Sequence, residues 1–494
     1  MADFDLLLRG GTIIDGTGAP RFDADVGIAG DKIAAIGDLS RARGHCEIDV
    51  QGRIVAPGFI DAHTHDDRYL MQSPLMPAKL SQGVTTVVTG NCGISLAPWC
   101  AAPGQAVPPP LDLLGDDAAA FRYAVFGDYL DALEQAAPAV NAACLVGHTT
   151  LRVAVMDRLD RAATDAEIAA MQALLRDAMR SGASGMSTGA AYPAAMAAPT
   201  DEMARVAAAL HGFGGVHASH IRDEGDQIRE AIDEAVLIGE AGDADVVVSH
   251  HKLIGPRNHG RSVETLAHFA RLAQVMQHRC VGLDCYPYQA GSTILRKDRL
   301  AVSSRVIVTR SQPHPEYAGQ DLATIAAAMG LSPEDAVDAL QPAGAIYFLM
   351  DESDVRRILA FPQTMIGSDG LPHDPMPHPR LWGTFPRVLG HYSRDIGLFP
   401  LEMAVHKMTG LTARHFHLAG RGVLAEGNFA DVTVFDAARV IDTATFEQPV
   451  AQAMGIDHVF VNGEVAWSEG ASTGVRAGAV IRHQILFPHN SAIY

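Results

Sequence analysis

Residues 164–188 read TDAEIAAMQALLRDAMRSGASGMST, and this stretch contains both elements from which the fold is built. Residues 164–182 are rich in alanine and end on Gly182, which is typical of a helix. The short run ASGMST (183–188) follows directly and is interpreted as a buried strand. The same kind of helical segment, EGDQIREAIDEAVLIGEAG (224–242), precedes DADVVVS (243–249). Such alternation indicates a parallel sheet covered by helices.

Outward from this stretch, the chain offers eight candidate strands for the sheet. Eight is the number that closes a (β/α)₈ barrel of the TIM type. The sequence therefore predicts an α/β fold with a catalytic barrel over residues 56–415. The candidate strands are GFIDAH (58–63), VTTVVT (84–89), NAACLVG (141–147), ASGMST (183–188), GGVHAS (214–219), DADVVVS (243–249), RCVGLDC (279–285) and TMIGS (364–368).

The two ends of the chain have a different pattern, with short alternating strands and Gly/Asp turns. We expect residues 1–55 and 416–494 to form one small β-sandwich domain, in which Asn462-Gly463 is a type I′ hairpin signal. Residues 286–345, between the seventh and eighth strands, are long for a connection and include the helical piece LATIAAAMGLSPEDAVDAL (322–340). We expect this insertion to cover the active site as a lid.

Composition narrows the classes of partner. The 494 residues carry a net charge of −19, from 38 Lys and Arg against 57 Asp and Glu. Nucleic acids and anionic membranes require a basic face, so neither is expected as a partner. The N-terminal residues do not resemble a signal peptide, and no apolar run approaches the roughly 20 residues of a membrane span. We expect a cytoplasmic protein with a small-molecule substrate, for which a monomer is plausible and the oligomeric state stays open.

Ligand-type side chains recur where the candidate strands end. His63 and His65 close the first strand in APGFIDAHTH (56–65), and their i, i+2 spacing points both imidazoles to the same side. Active sites of such barrels are built at the carboxyl ends of the strands, where thiolate, imidazole and carboxylate together suit zinc. The sequence therefore predicts a Zn²⁺ site. The further candidate ligands at strand ends are Cys92, His220, His250 and Asp369.

Asp369, in the phrase GSDG, is predicted to be the catalytic general base. A carboxylate at the end of the last strand can take a proton from a water activated by zinc and pass it to the leaving amine. The alternative is that Asp369 only orients a metal ligand.

Several phrases resemble one family closely: GNCGIS around Cys92, SHIRDE around His220, SHHK at His250 and GSDGLPHDPMPHPRLWGTFPRVLG from residue 367. Over nearly the whole chain the sequence resembles the N-acyl-D-amino-acid deacylases, or D-aminoacylases, of the amidohydrolase superfamily. This resemblance implies one tight zinc site at Cys92, His220 and His250, and a second, weaker site at His63, His65 and Asp369. It also implies hydrolysis of N-acyl-D-amino acids to a carboxylate and a free D-amino acid, with a hydrophobic or acidic side chain, D-glutamate included.

Such a substrate presents a carboxylate that cations or hydroxyls must hold. The candidates for this role are Lys252, Tyr286, Thr293 and Arg380, and a second, side-chain carboxylate could be held by lid cations, Arg296, Lys297, Arg299, Arg305 and Arg310. Two other hypotheses stay open. One is a cyclic-amide hydrolase or aminohydrolase on the same barrel, and the other is a non-enzymatic scaffold, against which the full set of ligand residues argues.

Overall fold

The computed structural model describes residues 3–276 and 278–484, and the last ten residues of the predicted C-terminal portion, 485–494, lie outside the described residues. Its centre is a parallel sheet of eight strands, arranged in chain order and called barrel strands 1 to 8. Each lies at a stretch that the sequence predicts, so the predicted barrel is confirmed. Their bounds are Phe59–Asp61, Val84–Thr89, Asn141–Gly147, Gly185–Gly189, Val216–His220, Asp245–Val248, Val281–Cys285 and Thr364–Ile366.

Barrel strands 1 and 8 meet through a few contacts at their carboxyl ends. Ala62 N donates to Ile366 O at 3.2 Å, and Asp369 N donates to His63 O at 2.8 Å. A single parallel bridge joins Thr64 to Gly370. The barrel therefore closes at the level of the predicted site residues.

The helix of the opening stretch begins and ends as its sequence indicates. Thr164 accepts from Glu167 N and the Glu167 side chain accepts from Thr164 N, which completes a capping box. Gly182 ends the helix with a φ of 105°. The main barrel helices are Phe126–Ala136, His148–Val155, Asp165–Ser181, Thr200–Ala207, Ile228–Ala241, Ser262–Val275, Glu352–Ala360, Arg380–Arg387, Leu401–Met408 and Gly410–His415. No helix of the described residues is long and apolar enough to cross a membrane.

Both ends of the chain contribute to one further sheet, as predicted. Val432–Phe435 pairs antiparallel with Ile54–Pro57, which joins the C-terminal strands to the N-terminal ones. Nine strands of the described residues form this mixed sheet, which has its own apolar core around Leu8, Val26 and Phe460. The other strands are Phe4–Ile13, Phe22–Ala29, Lys32–Gly37, Gly44–Asp49, Ile456–Val461, Glu464–Ser468 and Ala471–Ser472.

The insertion after barrel strand 7, here called the lid, contains a three-stranded antiparallel sheet of Ala290–Ile294, Ala343–Phe348 and Arg305–Ser311. The predicted helical piece 322–340 forms two helices, Leu322–Met329 and Pro333–Leu340. Gly330 ends the first helix at a φ of 68°, and the Ser332 side chain caps the second by accepting from Asp335 N. The break follows from this capping pair, because a left-handed glycine followed by a capping serine ends one helix and begins the next.

Candidate metal centre

Cys92 lies at the centre of the site, in the turn that follows barrel strand 2. Its Sγ is 3.3 Å from His63 Nε2, 3.3 Å from His250 Nε2 and 3.6 Å from His220 Nδ1. All four side chains are buried. Cys92, His220 and His250 place one ligand atom each within 4.8 Å of one another, so they could hold one metal ion.

A second group of possible ligands shares Cys92. Asp369 Oδ1 lies 3.2 Å from His65 Nε2 and 3.6 Å from His63 Nε2. His63, His65, Cys92 and Asp369 satisfy the same 4.8 Å condition. The structure therefore brings together all six residues that the sequence predicts as metal ligands, in two adjoining groups.

The backbone at three of these residues adopts an unusual conformation. Cys92, His250 and Asp369 have φ values of 55°, 37° and 49°, in a region that residues other than glycine rarely occupy. Such conformations cost on the order of 1–3 kcal/mol each and persist where the surrounding structure imposes them, often at functional sites. Gly93, beside Cys92, packs so closely on barrel strand 4 that a Cβ there would lie 2.6 Å from Gly189 N.

Neighbouring charges favour the ionised forms of the Cys92 thiol and the Asp369 carboxyl. Burial by itself raises the pKa of Cys92, but the charges of His63 and His250, together with hydrogen bonds from His220 and His250, hold that pKa well below its ordinary value. Burial likewise raises the pKa of Asp369, but the Arg380 guanidinium, 2.9 Å from Asp369 Oδ2, acts together with His250, His65 and His63 to hold that pKa well below the ordinary value. A thiolate and a carboxylate are the forms that bind metal.

The donor set fits a divalent metal. Burying several imidazoles with a thiolate and a carboxylate is unfavourable unless a cation compensates their charge and lone pairs. Two of the imidazole nitrogens, His65 Nδ1 and His220 Nε2, are buried without a hydrogen-bond partner among the described residues. The mixture of sulfur, nitrogen and carboxylate oxygen is one that zinc and related transition metals prefer.

A narrow cavity opens onto this centre, between the ends of the barrel strands and the lid. Its floor includes His220, His250 and Asp369, and its cover comes from the lid sheet. A small molecule in this cavity would therefore touch both the metal ligands and the lid. The remaining lining residues are Tyr192, Glu224, Lys252, Tyr286, Gly291, Ser292, Thr293, Arg299, Tyr347 and Leu349.

Of the predicted substrate-binding residues, Lys252, Tyr286 and Thr293 line the cavity. Arg380 does not line it. This side chain is fully buried behind Asp369, donates to Ser292 O at 3.0 Å, and lies with its guanidinium carbon 4.5 Å from the centre of the Tyr286 ring.

Among the lid cations, the cavity is lined by Arg299, whose Nη2 is 3.6 Å from Glu224 Oε2. Arg296 is not part of the lining and pairs with Asp298 while donating to Ala191 O. The other three also pair with carboxylates elsewhere: Lys297 with Asp338, Arg305 with Asp321, and Arg310 with Asp112 and Asp374.

Two carboxylates next to the ligands were not anticipated from the sequence. Glu224 Oε1 lies 3.3 Å from His250 Nδ1 and 3.8 Å from His220 Nε2, and it also accepts from Lys252 Nζ. Asp284 accepts from His250 N at 2.8 Å and lies 3.4 Å from His63 Nδ1. Such contacts orient ligand imidazoles. The sequence offered one signal for each of these carboxylates. Glu224 follows His220 by four residues, and Asp284 lies near the end of barrel strand 7.

A barrel that carries buried sulfur, imidazole and carboxylate groups at the carboxyl ends of its strands is typical of metal-dependent hydrolases of the TIM-barrel class. The model of the amidohydrolase family matches residues 47–466. The chain belongs to this family and is a hydrolase.

Three similar proteins illustrate the range of its relatives. D-aminoacylase of Alcaligenes xylosoxydans xylosoxydans is 59% identical over 479 residues, which cover 97% of this chain and 97% of the relative. N-acyl-D-aspartate deacylase of the same organism is 52% identical, over 99% of this chain and 96% of the relative. The crystal structure of N-acyl-D-glutamate deacylase from Bordetella bronchiseptica, complexed with zinc and a phosphonate mimic of the tetrahedral intermediate, is 46% identical, with a TM-score of 0.92 over 97% of this chain and 99% of that one.

Proposed function

We propose that the protein is a zinc-dependent deacylase of N-acyl-D-amino acids. The observation that carries this proposal is the cavity, whose lining combines possible metal ligands with Lys252 and Tyr286. An N-acyl amino acid has the matching arrangement, with a scissile amide close to a carboxylate. The preference for the D enantiomer rests on the relatives, whose names specify D-amino acids.

Cys92, His220 and His250 would hold the tight zinc, and His63, His65 and Asp369 would add a second, weaker position. Zinc bound by these residues would supply Lewis acidity to the scissile carbonyl and would lower the pKa of the attacking water towards about 7. Asp369 accepts the water proton as the new C–O bond forms, and donates it to the amide nitrogen as the C–N bond breaks. Because its pKa lies well below the ordinary value, Asp369 is ionised at neutral pH and able to accept that proton.

The substrate carboxylate would be held by Lys252, with the hydroxyls of Tyr286 and Thr293 as further donors. The Tyr286 hydroxyl is buried without a hydrogen-bond partner among the described residues, so it has a donor to offer. Arg380 would act on the substrate indirectly, through two neighbouring side chains. Its guanidinium stacks on the Tyr286 ring and pairs with Asp369. Arg296 has no place in this arrangement, since its partners lie outside the cavity lining.

We expect Lys252→Met to raise KM about 10- to 100-fold for N-acyl-D-amino acids, because a charge-assisted hydrogen bond to the carboxylate is worth roughly 1.5–3 kcal/mol. Steady-state kinetics of the variant measure the effect. Lys297→Met is the matched control, since that lid lysine pairs with Asp338 and does not line the cavity. Equal KM values for the wild type and Lys252→Met would remove Lys252 from substrate binding.

The test of the proposed function is amine release by the zinc-loaded protein from N-acetyl derivatives of D- and L-methionine, leucine, glutamate and aspartate. Turnover confined to the D series supports the deacylase. Arg299, beside Tyr347 and Leu349 in the cavity lining, is the cation that would favour an acidic side chain. If none of these N-acetyl amino acids is hydrolysed and the protein instead opens the ring of dihydrouracil or hydantoin, the function would be that of a cyclic-amide hydrolase.

A further inference from the structure

The junction between barrel strands 1 and 8 carries the second group of possible ligands but has little backbone pairing. His63 and His65 follow barrel strand 1, and Asp369 follows barrel strand 8. Neighbouring barrel strands elsewhere pair over runs of three or more residues. Here one bridge and two backbone hydrogen bonds connect the strands. Backbone pairing is therefore sparser at this junction than at the others, and side-chain contacts add to it in setting the distance between the two histidines and the carboxylate.

A fully buried lysine lies at this junction. Lys79, from the short helix Pro77–Leu80, places its Nζ 2.7 Å from Asp61 Oδ2 and 3.0 Å from Ser368 Oγ. The same nitrogen lies 3.2 Å from Asp66 Oδ2. Asp61 ends barrel strand 1, Asp66 follows His65, and Ser368 precedes Asp369. One ammonium group therefore contacts residues on both sides of His63 and His65 and the residue that precedes Asp369.

The partners of Lys79 continue the connection to the backbone. Asp61 Oδ1 accepts from Ser368 N at 2.7 Å and from His63 N at 3.3 Å. Ser368 Oγ in turn accepts from Gly370 N at 3.2 Å. Asp61, Ser368 and Lys79 are each fully buried. A buried charge that is paired in this way holds its partners firmly, since moving any one of them would leave an unpaired charge in the interior.

We propose that Lys79 is the positioning residue of the second metal position, fixing His63, His65 and Asp369 relative to one another without touching the metal. The inference rests on the proposed metal centre and adds a residue that sets the affinity of one of its two positions. Cys92 and His250 follow barrel strands 2 and 6, and His220 ends barrel strand 5, so none of these three residues lies at the junction that Lys79 holds.

The direction of the change in zinc affinity distinguishes a positioning role of Lys79 from a simple electrostatic one. Removing a positive charge near a divalent cation would by itself strengthen metal binding. Loss of positioning weakens it, and changes in residues that hold metal ligands typically cost about 10- to 100-fold in affinity. We therefore expect Lys79→Met to weaken the second equivalent of Zn²⁺ about tenfold or more and to leave the first unchanged.

The measurement is Zn²⁺ binding to the metal-free full-length protein, by calorimetric titration with zinc content checked after dialysis. Lys407→Met is the matched control, because Lys407 is also fully buried but donates to Phe361 O and Thr364 O, at the opposite end of barrel strand 8. Ser368→Ala, which removes one Lys79 contact in a smaller change, tests the same idea if Lys79→Met does not fold, and should weaken the second equivalent alone.

An unchanged or tighter second equivalent in Lys79→Met would overturn the proposal. So would an equal weakening in Lys79→Met and Lys407→Met, which would indicate general loosening, or a wild type that binds one equivalent only. The experiment measures metal binding and not turnover. A finding that the protein does not hydrolyse N-acyl-D-amino acids would therefore not affect this result.

Discussion

Cys92→Ala is expected to lose the tightly bound metal and the hydrolase activity together. The Cys92 sulfur lies within 3.6 Å of three histidines and belongs to both groups of possible ligands, so both groups lose a ligand atom in this variant. Metal catalysis supplies several kcal/mol, and a loss of about 4 kcal/mol lowers kcat/KM roughly 1,000-fold. Metal content by mass spectrometry and turnover of an N-acetyl-D-amino acid measure both effects on the same sample.

Cys144→Ala provides the control for this experiment. Cys144 is also a buried thiol, in barrel strand 3, and burial raises its pKa to about 12, as expected of a cysteine that only packs. It should keep metal and activity. Full zinc content in purified Cys92→Ala would show that the metal is held without the thiolate.

Asp369→Asn is expected to keep the tight metal and lose turnover. Asparagine preserves the shape of the side chain but cannot accept the proton of the attacking water, and loss of general acid–base catalysis typically costs about 10²- to 10⁴-fold. We expect kcat to fall in this range with little change in KM. Kinetics and zinc content of the same preparation give the result.

The matched control is Asp374→Asn, another buried carboxyl after barrel strand 8, which pairs with Arg310 outside the cavity lining. It should retain turnover. If Asp369→Asn instead loses its tight zinc, Asp369 is a primary ligand and the proton must move by another route.

The positions of the ligand-type residues were predictable because they depend on local sequence alone. His63 and His65 follow one strand, and Cys92 and Asp369 follow others. Because active sites form at the carboxyl ends of barrel strands, these residues are expected to lie close together. The pairing of the two chain ends was predictable for a similar reason, since both carry short alternating strands. The division of the lid helix at Gly330 also depends on local sequence, because this glycine is followed by a capping serine.

The residues that orient the ligands were not predictable, because their partners come from distant parts of the chain. Lys79 meets Ser368 across 289 positions, and Asp284 meets His63 across 221. Nor does the sequence tell which lid cations face the cavity. Arg299 and Arg296 are three positions apart, yet Arg299 lines the cavity while Arg296 pairs with Asp298 away from it. Such outcomes depend on how the lid packs on the barrel.

The most direct test of the account is stepwise return of Zn²⁺ to the metal-free protein, with hydrolysis of N-acetyl-D-methionine and its L enantiomer followed at each step. We predict no turnover without metal, a rise in D-substrate turnover that is complete by the first equivalent, and no turnover of the L enantiomer. Full turnover by the metal-free protein, or equal turnover of the two enantiomers, would contradict it.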